Sequence, residues 1–176
     1  MKKLPKYLLK EVANAIFISH IRYGLPLYCP VRIEENDPTP GCLETLKVVF
    51  NDCLRLVSGV TRNDHESIVN MLENLNWPSI NQLAAETRLL EAWKTIHVED
   101  HCMKEVLYLR PKGTYRTRQN HVNFLETGVE DLYGSAGFVN TTAKIWNKSP
   151  NSVKDAKSLS IAKREIRKFV KEEIPM

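Results

Sequence analysis

With 176 residues, 43% hydrophobic and 26% charged, the chain holds enough apolar material for one domain, or one domain with an appended arm, and no apolar run long enough to span a bilayer. Its four cysteines (Cys29, Cys42, Cys53, Cys102) form no CxxC pair and no regular spacing, which argues against a disulfide framework or a zinc knuckle. The net charge of +4 hides a segregation: residues 1–33 carry six cations and one acid, residues 34–105 six and thirteen, and residues 106–176 thirteen and seven. Two basic ends thus flank an acidic middle. A polyanion is expected to meet the ends, unless the ends simply dock on the middle.

The opening "MKKLPKYLLKEVANAIF" imitates a signal peptide, but Lys6, Lys10 and Glu11 interrupt its apolar stretch and an amphipathic helix fits better. The expected location is intracellular, cytoplasmic or nuclear. Leu9, Val12, Ala13, Ile16, Phe17 and His20 recur at helical spacing over Lys6 to Arg22, and Gly24 with the prolines beyond it predicts a stop. After the turn-rich "IEENDPTPG", a second helix is predicted over Cys42 to Ser58, with Leu46, Val49, Phe50, Cys53, Leu54 and Val57 on one side and Gly59 closing it. A third, shorter helix is predicted with Asn63 or Asp64 as its N-cap and Glu66 in its first turn.

The strongest helical signal is "NWPSINQLAAETRLLEAWKTIH". Pro78 blocks backward extension, and Ser79 with Gln82 makes an S-x-x-Q capping box. Leu83, Ala84, Leu90, Trp93 and His97 share a face that Ala85, Leu89, Ala92 and Ile96 widen, so this helix is expected to be buried between others. From Val106 the texture changes. "VLYLRPKGTYRTRQNHVNFLE" alternates apolar and polar residues around Pro111–Gly113, which predicts a β-hairpin or an extended basic arm near 106–125. A looplike "DLYGSAGFV", a short helix with Ala143 and Trp146, and a last helix beginning at Ser158 follow. The expected architecture is mainly α, an irregular helical bundle, divided as a helical part over 1–105 and a basic arm plus C-terminal helices over 106–176.

Two stretches have the chemistry of nucleic-acid contact. The arm offers Arg110, Lys112, Tyr115, Arg116 and Arg118 with no carboxylate among them. Guanidinium groups grip phosphates by paired hydrogen bonds, and tyrosine faces stack on unpaired bases. The last helix offers Lys163, Arg164, Arg167, Lys168 and Lys171 opposite its apolar stripe. "HVEDHC" puts His97 and His101 on one helical face beside Cys102, but Val98 stands where the glutamate of HExxH would be and no second ligand pair follows. No cofactor or metal is expected. There is also no GxSxG, no P-loop and no Asp-Asp pair, and the adjacent acids (Glu34–Glu35, Glu99–Asp100, Glu130–Asp131, Glu172–Glu173) fall in predicted loops or helix ends.

The order of segments carries a further signal. "FISHIRYGLPLYCP", then "LETLKVVFNDCLRLVSGVTRND", then "SIVNMLENLNWPSINQLAAETRLLEAWKTI" resembles the region after the polymerase core in non-LTR (LINE-type) retrotransposon reverse transcriptases. "GFVNTTAKIWNKSPNSVKDAKSLSIAKREIRKFV" resembles the C-terminal end of the same proteins. The matching pieces are Tyr23–Gly24, Leu54–Arg55 with Gly59, Pro78–Ser79 with Trp93–Lys94, and Trp146–Asn147 with Pro150. The resemblance implies a helical thumb-like segment that grips a template–primer duplex, without the fingers, the palm or the "ADD"-type carboxylates of the RNA-directed DNA polymerase. Relatives often carry a basic residue where Asn51–Asp52 stand, although Lys47 and Arg55 remain. The expected role is therefore non-catalytic binding of RNA, DNA or an RNA–DNA hybrid, with no membrane involvement. A helical protein–protein module whose acidic centre docks a basic partner, and a mobile-element remnant without selected function, stay open beside it.

Overall fold

The computed structural model describes residues 5–28, 31–33, 41–109, 122–126 and 137–175. They form an irregular, mainly α-helical bundle. In chain order the helices are α1 (Lys6–Val12), which continues through a π turn (Ala13–Ile18) into α2 (Ser19–Tyr28), then α3 (Gly41–Ser58), α4 (Ile68–Leu75), α5 (Ile80–His97), α6 (Phe138–Lys148), α7 (Asn151–Lys154) and α8 (Leu159–Glu173). None of the described helices is long and apolar enough to cross a membrane.

Helix α5 lies in the middle, packed by α2, α6 and α8. Leu83, Ala84, Ala85, Leu89 and Ala92 are fully buried, and the alanines let neighbouring helices approach closely. The expected capping box is present: the Gln82 backbone N–H donates to Ser79 Oγ at 3.2 Å, and the Ser79 N–H donates to Gln82 Oε1 at 3.0 Å. These bonds satisfy two of the donors that a helix start leaves open. Asn76, left-handed at φ 50°, ends α4 and turns the chain into α5. His97 and half-buried Leu90 sit less deeply than predicted; His97 is exposed at the end of the helix.

The N-terminal helix departs most from expectation. It runs on through Gly24 and Pro26, because Leu25 is driven into the core (1% exposed) and its burial outweighs the local stop signal. The π turn explains a second difference. Its i→i+5 bonding inserts an extra residue, which shifts the helical phase by about 100°. Val12 and Ile16, placed on the buried stripe by their spacing, point outward, whereas Ile18, Ile21 and Leu25 point inward.

Three smaller corrections concern α3, α4 and α6. Val49 is exposed, while Phe50, Leu54 and Val57 form the buried side of α3. Thr61 and Asp64 close a 3₁₀ turn over Arg62–Asp64, and His65 then adopts a left-handed conformation at φ 51°. That break delays α4 to Ile68 behind Ser67 and leaves Glu66 outside the helix. Phe138 and Val139, assigned to a loop by their glycine-rich surroundings, open α6.

Of the expected hairpin, residues 110–121 lie outside the described residues; its flanks meet in a single antiparallel bridge, Leu109 with Phe124, beside a 2.8 Å bond from the Leu125 N–H to the Tyr108 carbonyl. Trp146 and Asn147 on α6 anchor this bridge. The indole N–H of Trp146 donates to the Val122 carbonyl at 2.9 Å. The Asn147 side chain accepts from the Phe124 N–H at 3.0 Å and donates to the Phe124 carbonyl at 3.1 Å, as a neighbouring strand would. Phe124 is thereby held fully buried, edge-on to Trp146. Replacing Asn147 by Ala is expected to cost about 1–2 kcal/mol, since it leaves a buried peptide unit unpaired. Amide hydrogen exchange should then quicken at Phe124 while α5 stays protected; unchanged exchange at Phe124 would refute the clamp.

Candidate nucleic-acid interface

Helix α8 begins at Ser158, whose Oγ accepts from the Ile161 N–H at 3.4 Å. Ala162, Ile166, Phe169 and Val170 bury one side of it, so the cations between them fall on the other. On the N-terminal helix the burial of Ile18, Ile21 and Leu25 leaves Arg22 at the edge of the packed face. A groove of about 1100 Å³ runs between these two helices, with the α4–α5 junction as its floor. Lys10 and Arg22 line one wall; Arg167, Lys168 and Lys171 line the other. Glu11, Glu73 and Glu86 are the carboxylates among the lining residues.

Glu86 sits at the floor and is buried. Arg167 Nε donates to its Oε1 at 2.7 Å, and Arg22 Nη2 donates to its Oε2 at 3.3 Å. One carboxylate of α5 therefore pairs with two cations from opposite ends of the chain, and the trio keeps a net positive charge. Lys168 and Lys171 are exposed and make no ion pair among the described residues. Beyond that trio, Lys10, Lys168 and Lys171 stand against the carboxylates of Glu11 and Glu73.

The expected cationic face of the last helix thus divides. Arg167, Lys168 and Lys171 enter the groove; Lys163 does not line it, and Arg164 pairs with neighbouring Glu165 at 3.0 Å. Arg110, Lys112, Tyr115, Arg116 and Arg118 lie outside the described residues. Lys10, Arg22 and Glu86 were not predicted as site residues. The segregated charge was the available signal, because it put a basic N-terminal segment and a basic C-terminal segment in one chain.

Other candidate surfaces are already internally paired. On α3, Lys47 meets Glu44 at 3.3 Å and Arg55 meets Asp52 at 3.6 Å. Arg62 grips both oxygens of Asp52, and this guanidinium holds the Asp52 carboxyl below the usual carboxylate range. His97 stacks on Trp93 at 4.3 Å and its Nδ1 lies 2.9 Å from the Trp93 carbonyl, whereas His101 Nε2 lies 3.1 Å from Glu91. Among the described residues no three His, Cys, Asp or Glu side chains gather as a metal site.

No protein-family model, curated protein or solved structure matches the chain.

The Glu86 clamp has a measurable role in the fold. Glu86→Gln keeps the shape but removes the charge, leaving Arg22 and Arg167 with a weaker acceptor. A loss of about 1–2 kcal/mol is expected in urea unfolding, moderated by the partial exposure of both arginines (side chains 41% and 57% exposed). Stability equal to the parent chain would show that the pair contributes nothing.

Proposed function

We propose that this chain is a non-catalytic nucleic-acid-binding module of the thumb-like kind that follows the polymerase core in non-LTR retrotransposon reverse transcriptases, and that it holds the backbone of RNA or DNA in the groove between the N-terminal helix and α8. The observation that carries this reading is the pair Lys168 and Lys171, exposed on a groove wall opposite Lys10 and without an internal counter-ion among the described residues. Two ammonium groups one helical turn apart suit successive phosphates, and releasing the counter-ions of those phosphates drives binding. The collinear resemblance across "FISHIRYGLPLYCP" and the Trp146–Asn147 segment supports the same reading. Arg110, Lys112, Tyr115, Arg116 and Arg118 extend the proposed contact beyond the described residues.

A second reading, a helical protein–protein module, draws on a different observation. Leu8, Val12 and Ile16 form an outward apolar row on the N-terminal helix, away from the groove. The two readings separate in one experiment. On the first, Lys168→Ala with Lys171→Ala lowers the slope of log affinity against log salt by about 1.5 in an anisotropy titration with a labelled oligonucleotide. An unchanged slope and affinity in a folded double variant would rule out the groove.

A further inference from the structure

The groove has a floor and a rim as well as a charge. Arg22 and Arg167 hold the two oxygens of the same Glu86 carboxylate, at 3.3 and 2.7 Å. Two hydrogen bonds and one carboxylate put the guanidinium groups roughly 8 Å apart at most on the groove floor. The Glu86 carboxylate fills that space, so these three side chains close the floor, and a ligand meets the rim where Lys168 and Lys171 stand exposed. A single strand laid with its phosphates along these lysines keeps its bases free to turn outward.

The rim supplies a surface for such a base. Tyr23 is 89% exposed, more than any other large apolar side chain described. It follows Ser19, which lines the groove, by one turn, and so lies about 40° further round the helix than Ser19 does. Its neighbour Arg22 reaches the groove floor. An aromatic ring left in water beside a cationic channel is the arrangement by which proteins hold unpaired bases without reading their sequence. Tyr7 is also exposed, but it faces the cleft between α1 and α3 instead.

We infer that the groove takes a single nucleic-acid strand rather than a duplex, with phosphates on Lys168 and Lys171 and one unpaired base stacked on Tyr23. This rests on the backbone-binding reading above and departs from the duplex grip that the family resemblance implies.

The test uses the full chain and three labelled probes in low salt: an oligothymidylate strand, the same strand annealed to its complement, and an abasic strand of equal length. The single strand is expected to bind at least about 10-fold more tightly than the duplex. Tyr23→Ala should lose about 10-fold on the base-bearing strand and nothing on the abasic one, while Tyr23→Phe keeps full affinity. Equal affinity for strand and duplex overturns the inference, as does a Tyr23→Ala loss that is the same with and without bases. If all three probes bind alike and Lys168→Ala with Lys171→Ala weakens them alike, backbone binding stands and the single-strand assignment alone fails. If no probe binds, both fail together.

Discussion

A helix buried over most of its surface has to find partners for the polar groups it carries inward, and α5 finds several of them in segments far away in the chain. Asn81 donates to the carbonyls of Arg32 and Pro175 and accepts from the Arg32 N–H. Gln82 reaches the Ile174 carbonyl, and Arg88 reaches Thr141 and the Phe138 carbonyl while its guanidinium lies over the Phe138 ring. Trp93 donates to the Ala156 carbonyl. Glu86 receives the two arginines. Each bond removes the large cost of an unpaired buried polar group, so each fixes one outlying segment to the central helix. The groove exists because two of those segments, α2 and α8, are tied to the same carboxylate.

This arrangement also resolves the two fates open to the segregated charges. Basic ends can dock on the acidic middle or remain available to a polyanion, and here they do both. Arg22 and Arg167 pair with Glu86, whereas Lys10, Lys168 and Lys171 line the space that the docking creates. The carboxylate between the two arginines offsets part of the repulsion that two guanidinium groups at that separation would otherwise feel.

What was legible in the sequence was what is local. The caps at Ser79 and Ser158, the helical stripes of α5 and α8 and the cationic side of α8 are each encoded within a few residues. Gly24 and Pro26 gave a clear local signal that Leu25, by its burial, overrode. Glu86 and Arg88 gave no local signal of their roles, because those depend on residues 50 to 81 positions away. Trp146 and Asn147 were recognisable as a pattern, but their task of pairing with Phe124 required the fold. The cations of the arm, which lie outside the described residues, were read from the sequence alone.

The π turn has one more consequence, for changes in chain length. α1 is fastened to α3, with Lys6 Nζ donating to the Ser58 carbonyl at 3.1 Å, while α2 is fastened to α5. The six residues between them let one continuous helix serve two neighbours that demand different rotational phases. Deleting a single residue from Ala13–Ile18 would restore ordinary i→i+4 bonding and give a locally better helix. The same deletion would turn α1 by about 100° against α2 and pull it from its seat. Over those six residues, secondary and tertiary structure favour opposite chain lengths, and the retained turn records which of them prevailed.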